Sequence, residues 1–206
     1  MTEVVARLRE IIADLQSEVE KEIGEQRDLF RYRLDQRKVI FEQEVVAQHR
    51  QMRMKLGRFM RESTLGAVLT APILYIQIIP ISLLDLFATF YQQTCFRVYG
   101  IPLVKRGEHV IMDRKYLAYL NWVEKLNCIY CEYANGVISY VREIASRTEQ
   151  YWCPIKHASK LKDPPGRYYD FLEYGDAKGF QEKLAGQREH CRACESSGSC
   201  GKKAGQ

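Results

Sequence analysis

Between Ser63 and Leu84 the chain carries twenty-two consecutive residues without a charge, STLGAVLTAPILYIQIIPISLL. As one helix this run would rise about 33 Å at 1.5 Å per residue, enough to cross a hydrocarbon core of about 30 Å. Pro72 and Pro80 oppose a single straight helix, because each removes a backbone hydrogen bond and crowds the preceding turn. Gln77 lies between them, Asp85 follows, and apolar character resumes through Leu86, Phe87, Ala88, Phe90 and Tyr91. Three arrangements remain: a re-entrant or interfacial segment turning near Pro80, a single pass, and a buried helix pair in a soluble core. Length and prolines together favour membrane attachment of the re-entrant or interfacial kind.

The flanks support that expectation. Residues 1–30 hold four basic and eight acidic side chains, and residues 31–62 hold nine basic and four acidic. Arg50, Arg53, Lys55, Arg58 and Arg61 stand directly before the apolar run. Such a cluster suits an anionic cytoplasmic leaflet, at roughly 1 kcal/mol per basic residue near the surface. Residues 1–62 contain no proline and only Gly24 and Gly57. Val5, Leu8, Ile12, Leu15 and Val19 alternate in steps of three and four, the seam of a coiled coil, although Glu22, Gln26 and Arg33 interrupt its continuation. The spacing predicts one long amphipathic helix that self-associates or binds a protein partner.

Residues 97–185 have the composition of a small globular domain. Ile101–Val104 and His109–Met112 flank Lys105-Arg-Gly-Glu108, a pattern that predicts a short β-hairpin. Asp113 is the expected N-cap of a helix through Leu117, Leu120, Val123 and Leu126. Val137, Val141, Ile144, Thr148 and Tyr151 predict a second helix, with Asn135-Gly136 as the break between them. Beyond the double proline at 164–165, aromatic residues are expected to fold back onto the domain. Residues 186–206 read as a flexible tail.

Seven cysteines, two sets of them spaced C-x2-C, and no signal peptide at the start point to reduced thiols or metal ligands. Cys128, Cys131, Cys153 and His157 form C-x2-C-x21-C-x3-H, three thiolates and one imidazole that satisfy tetrahedral zinc with no open position. A straight hairpin about Asn135-Gly136 would carry Cys153 roughly 15 Å past Cys128, so this site needs a non-helical knuckle or an early helix end. Cys191 and Cys194, with Cys200 beyond, offer a second C-x2-C to Cys128 and Cys131. Glu124, Glu143 and Glu149 could hold iron between helices, but such carboxylates more often pair with residues such as Arg147. No P-loop, GxGxxG or HExxH occurs. The basic residues are scattered and not striped, which speaks against nucleic acid.

A block of about sixty residues carries a resemblance. It comprises Tyr99-Gly-Ile-Pro102, Asp113-Arg, Tyr119-Leu-Asn121, Glu124-Lys-Leu-Asn-Cys128, Tyr130-Cys131, Tyr133-Ala-Asn-Gly136 and the run from Arg147 to His157. This block resembles an uncharacterised family of bacterial membrane-associated proteins with no established activity. The resemblance implies a bacterial inner-membrane protein bearing a Cys/His segment and adds nothing on mechanism.

The expectation is therefore a mainly α-helical protein in four parts. These are an amphipathic helix (1–62), a broken-helix membrane segment (63–96), a small Cys/His domain with a β-hairpin (97–185) and the tail (186–206). It would act as an adaptor or assembly factor on the cytoplasmic side, stapled by structural Zn2+ on Cys128, Cys131, Cys153 and His157. The alternative is an enzyme at the membrane face using that cluster as a thiol or metal centre.

Overall fold

The computed structural model describes residues 2–35, 38–62 and 64–193. Ser63, Cys194 and Cys200 lie outside the described residues, as do the side chains of Val5 and Leu8. The protein is mainly helical with one small antiparallel sheet, and its chain divides into two units.

The first unit comprises Met1–Ile78 and Ile111–Ala134. Helix α1 (Thr2–Leu29) is long, as its heptad spacing predicts, but it does not continue to residue 62. Arg31 ends it in a left-handed conformation, φ 53°, a position usually given to glycine. The Arg31 side chain pairs with Glu42 and, at 3.5 Å, with Glu44, while the Arg31 carbonyl accepts from the Glu42 amide. Strands β1 (Tyr32–Asp35) and β2 (Lys38–Phe41) then form the hairpin, with Tyr32 opposite Phe41. Helix α2 (Gln43–Gln51) follows, with Val45 buried, and then α3 (Leu56–Glu62). Phe41, His49 and Tyr119 make successive edge-to-face contacts with ring centroids 5.3 and 5.2 Å apart.

Helices α4 (Leu65–Ile76) and α5 (Ile78–Tyr91), a π-turn (Gln92–Phe96) and α6 (Arg97–Tyr99) form one helical run of 35 residues. Thr64 caps it, its hydroxyl accepting from the Ala67 amide. Gln77 interrupts the run, so Pro80 falls in the first turn of α5, where amides lack intrahelical partners in any case. The chain therefore does not double back at Pro80.

The second unit comprises Ile79–Val110 and Asn135–Gln206. Its core is Phe96, Ile101, Val104, Tyr140, Ile144, Tyr151 and Cys191. The predicted hairpin at 101–112 does not form. Ile101 and Val104 enter the core, and Lys105–His109 becomes a turn containing α7 (Arg106–His109). Val104 takes its backbone partners from the buried Gln92 side chain: Oε1 accepts from the amide at 3.0 Å and Nε2 donates to the carbonyl at 3.3 Å. Gly100, φ 71°, supplies the left-handed residue that ends α6.

Helix α8 (Trp122–Trp152) replaces the expected pair of helices. Its cap is Asn121, not Asp113: Asn121 Oδ1 accepts from the Val123 and Glu124 amides at 3.0 Å, and Glu124 accepts from the Asn121 amide at 2.7 Å. Asn135-Gly136 lies inside the helix. Gly136 is required there by packing, since a Cβ would stand 2.8 Å from Val110 Cα and 2.9 Å from the His109 carbonyl oxygen. Both atoms are backbone and cannot swing aside. Gly136→Ala should therefore destabilise the protein by about 1–3 kcal/mol through overpacking, despite the gain of about 1 kcal/mol in helix propensity. Gly24→Ala, where a Cβ meets nothing within 4 Å, should be neutral or stabilising. Paired thermal melts check the contrast, and equal shifts would refute it.

Helix α9 (Ala177–Ala193) continues into the region expected to be flexible. Cys191 is buried, Arg188 donates to the Tyr151 carbonyl, and Arg192 donates to the Tyr99 carbonyl and the Tyr151 hydroxyl. Among the aromatics beyond the double proline, Tyr168 and Phe171 are buried whereas Tyr169 and Tyr174 stay exposed.

Candidate functional site

Along Leu65–Tyr99 the side chains sort onto two faces. Ala71, Tyr75, Ile78, Ile81, Asp85, Ala88 and Gln92 recur every three or four residues and are at least half-buried. Leu65, Leu69, Ile73, Ile76, Ile79, Leu83, Leu86, Phe87 and Phe90 recur at the same spacing on the other face, and all are exposed. No residue of the most apolar eighteen-residue stretch is fully buried, and the run is long and apolar enough to cross a membrane.

The inner face is polar where the outer is oily. Within the first unit, Tyr75 donates its hydroxyl to Asn127 and packs edge-on against Tyr130, centroids 5.9 Å apart. Within the second, Thr89 and Tyr140 share a hydroxyl hydrogen bond of 3.2 Å, and Tyr91 and Thr148 one of 3.1 Å. Asp85 is buried and receives a forked contact from Arg106: Nε at 3.1 and 3.2 Å to its two oxygens, and a terminal nitrogen at 2.7 Å. This charge within an apolar helix is thus neutralised by a two-pronged guanidinium, the geometry that best compensates a desolvated carboxylate.

A second charged cluster holds α8 to the chain after the double proline. Glu143 Oε1 accepts from Arg147 Nε at 2.8 Å and from Arg167 at 3.1 and 3.3 Å. Arg147 also donates to the Pro102 carbonyl at 2.7 Å, and Arg167 to Gln150 Oε1 at 2.9 Å. Two guanidiniums with side chains only 2% and 7% exposed therefore share one carboxylate oxygen. Glu143 and Glu124 are thereby committed to structure, Glu124 in the α8 cap, which removes them from an iron set.

The structure does not bring Cys128, Cys131, Cys153 and His157 together. Cys128 and Cys131 lie one turn apart on the first part of α8, while Cys153 follows its last residue and His157 lies in the loop beyond. Because α8 is continuous through Gly136, no turn falls between the two cysteine motifs at Asn135-Gly136. The His157 ring stacks on Tyr168, centroids 5.8 Å apart, and its amide donates to the Tyr168 hydroxyl at 2.7 Å. Burial pushes the Glu149 carboxyl up, and the charge of His157 pulls it partly back. Among the described residues no three His, Cys, Asp or Glu side chains form a group that could hold an ion. Burial likewise raises the Cys191 thiol, against the opposing pull of Arg167 and Arg147, so it stays protonated and inert as a nucleophile near neutrality.

No protein-family model matches the chain, and no curated protein or solved structure does so either.

Proposed function

We propose that this protein is a membrane-attached adaptor that lies along the bilayer interface on the outer face of Leu65–Tyr99. The supporting observation is the division of that run into an exposed apolar face and an inner face with polar partners. A helix crossing the bilayer alone would turn its whole circumference to lipid, and Asp85 and Gln92 would then lack their compensating groups. A helix embedded along one side keeps both sets satisfied. Basic residues before the run suit the anionic cytoplasmic leaflet of a bacterial inner membrane.

The adaptor part of the reading rests on α1. Ile12, Leu15 and Val19 are exposed along its seam, so among the described residues nothing covers the heptad face at those positions. Its spacing fits a second copy of the same helix. The alternative of a membrane-face enzyme would need the Cys/His residues in one centre, and their spread along and beyond α8 gives it no support. A zinc on Cys128, Cys131, Cys153 and His157 stands as a separate proposal, and it requires zinc in the reduced full-length chain that is lost in Cys153→Ala.

Limited trypsin digestion of sealed inside-out membrane vesicles tests the attachment. Cleavage both before residue 63 and after residue 100 is expected, because both flanks share one side. Protection of either flank would replace interfacial attachment with a full crossing. Extracted in mild detergent, the same chain should sediment as a dimer or larger, and Leu15→Lys should sediment as a monomer.

A further inference from the structure

The first unit contains a cavity of about 520 Å³ whose lining includes Arg50, Arg53, Lys115 and Lys125 and no carboxylate. Two distant stretches of sequence build it. Arg50 closes the last turn of α2, with Arg53 three residues on. Lys115 sits in the short 3-10 turn Arg114–Tyr116, and Lys125 in the first turn of α8. Among the described residues none of the four is held in a salt bridge, while Glu124 is engaged in the α8 cap and Glu132 with Arg114. Lys115 Nζ lies 5.3 Å from the centroid of the Tyr116 ring, which also lines the cavity. Val46 and Ala118 supply small apolar walls.

Four like charges gathered around one hollow repel one another unless an anion joins them. The volume falls in the range of ligand sites, about 300–1,000 Å³, too large for a single halide and suited to a group with more than one phosphoryl centre. Two guanidiniums recognise phosphate oxygens in pairs, two ammonium groups act as point charges, and a phenol can donate one further bond.

We propose that this cavity binds an anion carrying two phosphoryl groups. Two sources share that chemistry: the paired phosphodiesters of an anionic lipid headgroup, and a soluble diphosphate. The lipid source rests on the membrane attachment proposed above. The first of its two stretches ends at Arg53, twelve residues before Leu65, where the apolar run begins in the same unit.

The test uses the full chain with two charge-matched variants. Lys115→Gln/Lys125→Gln removes two charges from the lining, and Lys55→Gln/Arg61→Gln removes two from the exposed basic run outside it. Calorimetry with inorganic pyrophosphate is done in neutral detergent. Flotation compares vesicles of pure phosphatidylcholine with vesicles containing about one fifth cardiolipin. The lining variant should weaken anion binding by about 100-fold or more, the loss of two charge-assisted contacts, and the control variant less than about threefold. Pyrophosphate binding with this pattern and no cardiolipin preference assigns the soluble source. Cardiolipin preference with this pattern and no pyrophosphate binding assigns the lipid. Both with this pattern show one site that accepts either. Equal losses in the two variants overturn the proposal in favour of diffuse surface charge, and so does binding of neither probe. Loss of flotation on both vesicle types with pyrophosphate binding intact would sink the attachment and leave the site standing.

Discussion

Replacing Glu143 by alanine should cost about 3–5 kcal/mol of stability, the range found when one partner is removed from a buried ion pair. The magnitude follows from what the substitution leaves behind. Arg147 and Arg167 are 2% and 7% exposed, and Glu143 Oε1 is the carboxylate oxygen that both contact. Without it two guanidiniums face each other across the vacated position with, among the described residues, the Pro102 carbonyl and the Gln150 amide oxygen as their remaining acceptors. Glu143→Gln keeps an oxygen in place and removes the charge, so its cost should be smaller. Arg167→Met in the Glu143→Ala background removes one stranded charge and fills the space, and it should recover part of the loss. At about 2–4 °C per kcal/mol for a chain of this size, Glu143→Ala should lower the melting temperature by about 6–20 °C. A shift below about 2 °C would show that the cluster is solvated and structurally idle.

Half of that cluster is legible in the sequence. Glu143 and Arg147 are four residues apart on a helix, the spacing that lets such side chains meet. Arg167 is not, because it arrives from beyond a double proline and nothing local announces the contact. The same division runs through the fold. The heptad spacing predicts a long first helix, and α1 forms. Its end at Arg31 has no glycine or asparagine to mark it, since an ion pair with Glu42 holds the left-handed residue. The β-hairpin expected at 101–112 does not form, because a glutamine side chain serves as the pairing partner of Val104, and the hairpin that does form, at 32–41, lies where the spacing predicts helix.

Asn135-Gly136 is the most instructive failure. An Asn-Gly pair between two helical patterns reads as a turn, because glycine weakens helices and permits turn conformations. Here glycine is selected for the missing Cβ, which lets the His109–Val110 backbone approach a continuous helix. One misread residue also changes where the cysteines fall. With α8 unbroken, the cysteine pair lies on its first part and the Cys/His pair beyond its end, and among the described residues no three His, Cys, Asp or Glu side chains form a group that could hold an ion. The apolar run shows the reverse case: its exposed apolar face is legible once the three-and-four spacing is read along 65–90, and Asp85 falls on the inner face by the same count.

Three substitutions on the outer face, Ile73→Gln, Ile79→Gln and Phe87→Gln, should release the protein from vesicles while leaving its fold unchanged. All three side chains are exposed in the protein itself, so they add little to its core, and the melting temperature of each single variant should stay within about 1–2 °C of the parent. In an interfacial attachment each of them would bury in lipid, at roughly 1.5–3 kcal/mol per side chain. Together they should weaken partitioning by about a thousandfold or more, since every 1.4 kcal/mol is a factor of about ten. Flotation with phosphatidylcholine vesicles reads this directly, because neutral lipid removes the contribution of the basic run. Undiminished flotation of the triple variant would show that this face does not meet the membrane. The inner face predicts the opposite behaviour. Asp85→Leu adds apolar surface and would favour lipid by composition alone, yet it strips Arg106 of its carboxylate, so it should lower thermal stability without strengthening flotation.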